Sequence, residues 1–247
     1  MSLILTHISK FGIIHVSDSN LTAAGAAAGK GKKTFPVTYL NAGLTVAGAF
    51  LVGGCRMDDW LPNFITKQSG VGSLAEFAAR LKDALDAEMS SSEKLNSGSI
   101  IHIAGYVGDS GSQHPEFYFV RNFYRMTESG DYADVRERFQ VSEDFWTRDY
   151  PKNIETFEAG DCQMLYINGC PDGRIAYVGL MAKLREFFSQ VWGTQEWGFR
   201  PPQSLAETAL FVKLYMTIIG KLFQVSNYPA PIIGGKTQIL KIAPPAK

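Results

Sequence analysis

The feature that most constrains this chain is its opening, Met1 to Lys33, which reads MSLILTHISKFGIIHVSDSNLTAAGAAAGKGKK. Leu3 to Ile8 is a short apolar strand, Lys10-Phe11-Gly12 a turn, and Ile13 to Ser17 a second strand ending at Asp18-Ser19. A three-residue loop with glycine last is a favoured hairpin connection, because glycine adopts left-handed backbone angles at little steric cost. Such a loop pairs Ser9 with Ile13 and sets Ser2 opposite Asn20. Side chains alternate along a strand, so Ser2 and Asp18 become diagonal neighbours on one face. Lys30, Lys32 and Lys33 close the stretch just before another apolar run. A hydroxyl near the amino terminus, a carboxylate and a lysine are parts of one recognisable catalytic device.

The remainder reads as strands, helices, strands and helices in turn. Residues 19–32 are glycine- and alanine-rich and read as a loop. Gly25 to Lys30 superficially matches a phosphate-binding loop, but the glycines are too close and Gly31 stands where Ser or Thr should hold magnesium. Residues 34–41 form a third strand, Asn41-Ala42-Gly43 a turn, and Leu44 to Val52 a nearly all-apolar fourth strand. Met57 to Lys67 is a helix by the spacing of Met57, Trp60, Leu61, Phe64 and Ile65, with an irregular start expected from Pro62. Ser73 and Glu76 form a capping box before a stripe of Leu74, Phe77, Ala78, Leu81, Leu85 and Met89.

Ser90 to Gly98 is a polar loop, and Ser99 to Val107 and Glu116 to Tyr124 are strands. Residues 127–160 are a charged, aromatic excursion with one short helix expected near Asp131 to Phe139. Asp161 to Ile167 returns to strand, and Gly169 to Gly173 turns into a long helix through Trp192. Ser204 and Glu207 cap a last long helix reaching about Gln224. Residues 231–242 close the chain as a strand, or strand pair, interrupted at Gly234-Gly235. No linker or repeat interrupts this order, so residues 1–247 read as one α+β domain.

Composition narrows the function. The formal net charge is zero, so no basic footprint for nucleic acid or an anionic membrane exists. No apolar run reaches the length of a membrane span, and the first residues lack the basic-then-apolar layout expected of a signal peptide. Cys55, Cys162 and Cys170 are scattered and odd in number, as expected of reduced thiols in a cytoplasm. His7, His15, His102 and His114 form no metal-ligand spacing, and no cofactor motif is found.

The opening resembles the proteasome family: proteasome β-subunits, their bacterial two-component-protease relatives and the smaller bacterial homologues. Mature members begin with Thr or Ser, continue as a hairpin ending in Asp-Ser or Asp-Gly, and carry a lysine at the start of the third strand. Ser2 takes the nucleophile's place once Met1 is removed. Asp18 in Val16-Ser17-Asp18-Ser19 takes the carboxylate's place, and Lys33 in Lys32-Lys33-Thr34-Phe35 the lysine's. Asn168-Gly169-Cys170 stands where the family has Gly-Ser-Gly, and Gly234-Gly235-Lys236 is similar to its Gly-Gly-Pro.

The resemblance implies a four-layer αββα sandwich, that of N-terminal nucleophile (Ntn) hydrolases. It also implies hydrolysis of a peptide or other amide in which the α-amine of Ser2 is the base for its own hydroxyl. Lys33 would lower the hydroxyl's pKa and Asp18 would hold Lys33. The backbone around Gly48 is where an oxyanion hole is expected, with Ser19 and Cys170 as supports. Homo-oligomeric rings follow, and an ATPase partner is compatible with the family. The alternative is a ring subunit that binds or builds without catalysis. Asp18 reads equally well as a loop cap, Lys30 and Lys32 as solvated charges, and Cys55 and Cys170 as small packing or turn residues.

Overall fold

The computed structural model describes residues 2–23, 26–96, 98–109, 113–126, 132–143, 164–191, 202–227 and 232–245. The architecture is α+β, with every sheet antiparallel. One sheet has the order β12-β1-β2-β13, built from β1 (Leu3–Ser9), β2 (Gly12–Ser17), β12 (Met164–Gly169) and β13 (Gln238–Ile242). The other has the order β11-β10-β9-β6-β5, built from β5 (Thr34–Val37), β6 (Ala42–Ala47), β9 (Ile100–Val107), β10 (His114–Met126) and β11 (Tyr132–Glu143).

Both faces of β1 are buried, which is why it reads as an apolar run. Leu3 and Leu5, with Ile14 and Val16 of β2, pack against α4 (Pro171–Val191) and α5 (Leu205–Gln224) through Tyr177, Val212, Tyr215 and Ile219. On the opposite face, Ile8 and Ile13 meet Ala104, Tyr106 and Phe117 of the second sheet, while Ile4 meets Ala47, Ile100 and Phe123. The second sheet's outer face is covered by α1 (Met57–Lys67) and α2 (Leu74–Glu88), whose Trp60, Leu61, Phe64, Phe77, Leu81 and Leu85 meet Leu44, Val46, Ile101 and Ile103. Burying each such side chain stabilises the fold by about 1.5–3 kcal/mol. Among the described residues no helix is long and apolar enough to cross a membrane.

The expected capping boxes form: Ser73 Oγ accepts from Glu76 N and Ser204 Oγ from Glu207 N, both at 3.1 Å. Other expectations are corrected. Ser9 pairs with Gly12, not Ile13, so Lys10-Phe11 is a two-residue turn and Ile4 faces Ser17. Residues 19–32 are not a plain loop but contain a hairpin of β3 (Asn20–Ala23) and β4 (Ala26–Lys30). The third strand stops at Val37 and gives way to a 3₁₀ turn at Thr38–Leu40, with Asn41 left-handed. The polar loop after α2 contains α3 (Ser91–Asn96).

The short helix expected near Asp131 to Phe139 is absent over its described part. β11 runs there instead: it pairs along β10, with Phe139 and Val141 packing on the side of α1 and α2 and, past a register shift, Val135 packing near Ile4 and Phe123 between the sheets. The rest of the 127–160 excursion lies outside the described residues. Two small strands, β7 (Leu51–Val52) and β8 (Cys55–Arg56), complete the chain's regular elements among the described residues.

Candidate active site

The one-residue change in hairpin register alters how Ser2 and Asp18 meet. The ladder puts Leu3 level with Asp18 and Ser2 level with Ser19, so Ser2 and Asp18 are not diagonal neighbours on one face. They meet because the chain leaves the ladder at Asp18. The Asp18 N–H donates to Leu3 O at 3.3 Å, and its carboxylate turns back to accept Leu3 N–H at 3.0 Å through Oδ1. Oδ2 accepts from Asn20 N at 3.1 Å and from Gly234 N at 3.4 Å. A carboxylate with three backbone donors is anchored from β1, from its own turn and from the turn leading into β13.

Lys33 reaches this carboxylate from the segment preceding β5. Its Nζ lies 3.0 Å from Asp18 Oδ1 and 2.8 Å from Ser2 Oγ, and it also donates to Asn20 O. Lys33 is 1 % exposed, Asp18 3 % and Ser2 7 %, so this is a buried cluster, not a solvated lysine loop. Lys30 and Lys32, by contrast, are exposed. An ammonium carries three N–H donors, and here each finds an oxygen. Burial lowers the Lys33 pKa and raises that of Asp18, and each shift is opposed by the other's charge. An amine held short of its normal basicity beside a hydroxyl can polarise that hydroxyl or exchange a proton with it.

The other expected residues surround this cluster. Ser2 O accepts from Cys170 N at 2.7 Å, so β12 and the start of α4 pin the Ser2 peptide. Gly169 makes this approach feasible: its φ is +108°, and a Cβ there would sit 1.9 Å from Ser2 O. The Cys170 side chain packs into the helical core, and burial raises its thiol pKa, which suits packing and not nucleophilic chemistry. Ser19 Oγ accepts from Lys236 N at 2.8 Å, tying the hairpin end to the terminal turn.

Gly48 follows β6, whose Val46 N–H donates to Lys33 O at 2.9 Å. Its φ is +108° and a Cβ would meet Gly98 O at 2.3 Å, so only glycine fits there. No hydrogen bond joins Gly48 to Ser2, Asp18 or Lys33 among the described residues. A cleft of about 170 Å³ beyond Asp18 is lined by residues of α5 and by Gly234 to Thr237; Ser2 and Lys33 do not line it. No group of three or more potential metal ligands occurs among the described residues.

Several partners leave no sign in the sequence. Asn20 O and Gly234 N act through backbone atoms, which carry no side-chain signature. Nor did the chain order reveal a buried polar chain between the sheets: Thr6 Oγ1 bridges His15 Nδ1 at 2.9 Å and His102 Nδ1 at 3.0 Å, and His102 Nε2 meets Asn168 Oδ1 at 2.8 Å. Compared with protein-family models and with the curated proteins, the chain gives no match.

Proposed function

We propose that this chain is a proteasome-like Ntn hydrolase that cleaves peptide or amide bonds with Ser2 as nucleophile, after removal of Met1. The observation that carries the reading is the buried contact of Lys33 Nζ with both Ser2 Oγ and Asp18 Oδ1. Two facing sheets covered on their outer sides by helix pairs support the corresponding four-layer αββα arrangement as a single domain.

Removal of Met1 leaves Ser2 with a free α-amine, which titrates near pH ~8 and is partly neutral at physiological pH. That amine takes the Oγ proton as Oγ attacks the substrate carbonyl. The resulting oxyanion needs backbone donors, for which the turn at Gly48 is the candidate. The protonated amine passes its proton to the leaving amine, and water then cleaves the acyl ester. The Lys33 positive charge beside Oγ stabilises developing negative charge, and Asp18 holds that charge in place. No cofactor is required in this scheme. A cytoplasmic homo-oligomer, in which enclosure restricts substrate access, completes the proposal, with an ATPase partner an open extension of it.

The test is hydrolysis of fluorogenic peptide amides by the mature protein and by Ser2→Ala. Loss of turnover in Ser2→Ala supports the reading, and unchanged turnover removes it. Absence of turnover in both, with a ring in light scattering, would instead favour the non-catalytic ring subunit.

A further inference from the structure

Lys33 can serve the proposed site only if its backbone is held still, and residues 31–33 belong to no strand. Each of their amides has a different partner. Gly31 N donates to Ser19 O at 2.9 Å, Lys32 N to Asp58 Oδ2 at 3.1 Å, and Lys33 N to Gln238 Oε1 at 2.8 Å. Gln238 also returns a bond: its Nε2 donates to Gly31 O at 2.6 Å. One side-chain amide therefore binds the peptide on both sides of Lys32, as a neighbouring strand would.

The placement of Gln238 gives this bridge rigidity. It opens β13, and its backbone is level with Ser17 in the ladder, one residue before Asp18. The Ser17 hydroxyl in turn bonds Thr34 Oγ1 at 2.9 Å, directly after Lys33. Asp18 and Lys33 are thus registered against each other from the end of β2, through the first residue of β13. Two bonds to opposite partners also fix the orientation of the Gln238 amide, since reversing it would face donor to donor and acceptor to acceptor.

We propose that Gln238 is a positioning residue that sets the Lys33 backbone so that Nζ meets Ser2 and Asp18 together. This inference rests on the hydrolase reading of the same site. The discriminating variant is Gln238→Met, which keeps volume and removes both hydrogen bonds, with Asp58→Ala as a control that frees the neighbouring Lys32 amide and the Arg56 guanidinium while leaving both Gln238 bonds in place. Two measurements are made: the pH profile of acylation of Ser2 by a peptide β-lactone, and the ¹⁵Nζ resonance of Lys33.

A misplacement of about 1 Å costs on the order of 100-fold in rate. Gln238→Met is accordingly expected to acylate about 10- to 100-fold more slowly, with a displaced pH midpoint and a shifted Lys33 resonance, while remaining folded at the assay temperature. Asp58→Ala is expected to keep the wild-type profile. Wild-type kinetics and an unmoved Lys33 resonance in Gln238→Met would overturn the proposal. If the wild-type protein is itself not acylated at Ser2, the hydrolase reading fails. The Lys33 resonance then decides the role of Gln238 alone: a shift in Gln238→Met sustains its hold on Lys33, and no shift overturns it.

Discussion

Acid should unfold this protein through two histidines that take no part in the proposed chemistry. His15 and His102 are fully buried between the sheets, and their hydrogen-bond partners Thr6 and Asn168 are neutral. The edges and faces of Phe117 and Phe119 complete the surroundings of His102, with ring centroids 5.2 and 5.3 Å away. Burial lowers the His15 pKa from 6.5 to about 4 and that of His102 to about 3. The unfolded chain therefore binds protons that the native state refuses, and stability falls as pH drops below about 6.5 and levels only below the native values. At about 1.36 kcal/mol per tenfold change in proton affinity, each histidine removes on the order of 3–5 kcal/mol when the fall is complete.

Those amounts rival the entire stability of a typical domain, about 5–15 kcal/mol. Near pH 5 both sites act together, and the slope approaches about 2.7 kcal/mol per pH unit from these two groups. The assay is urea unfolding at half-unit pH intervals from 7 to 4.5, comparing the wild-type protein with His102→Gln. The variant should be less stable at pH 7, because the polar chain is imperfectly replaced, yet lose stability with acid at a slope lower by about one proton. Equal slopes in the two proteins would refute the burial argument.

Three further outcomes are expected. Asp18→Asn leaves the Lys33 charge buried without its partner, and should cost about 3–5 kcal/mol by urea unfolding; Asp18→Asn combined with Lys33→Met should recover part of that loss but no activity. Gly169→Ala forces a Cβ to 1.9 Å from Ser2 O at a φ of +108°. It should lower the melting temperature and acylation of Ser2 together, whereas normal acylation would show that the Ser2 peptide is not held there. Ser73→Ala should cost about 1 kcal/mol, read from the urea midpoint, through loss of the Glu76 N–H cap.

The parts of this molecule legible in its sequence are those written in local pattern. The apolar run of β1, the stripe of α2 and the capping residues Ser73 and Ser204 depend on neighbours a few positions away, and they appear as expected. Ser2, Asp18 and Lys33 are legible as a set through their resemblance to the proteasome family's opening, although the hairpin register expected to make Ser2 and Asp18 neighbours is off by one. Gly12 pairs within the ladder instead of closing the turn. The β3–β4 hairpin was hidden because its alanines and glycines show no alternation of apolar and polar residues. The six-residue α3 was hidden because it is polar and too short to show a stripe. Gln238 and Asn168 were beyond reach for another reason. Their partners lie 205 and 66 positions away in the chain, and only the closed sheets bring them together.

The most direct test of the central claim is intact mass and peptide mapping after treatment with a peptide β-lactone. The protein is expected to carry one adduct, on a Ser2 whose Met1 has been removed, and neither Ser2→Ala nor Lys33→Met is expected to be modified. An unmodified Ser2 in a protein from which Met1 is absent would contradict that claim.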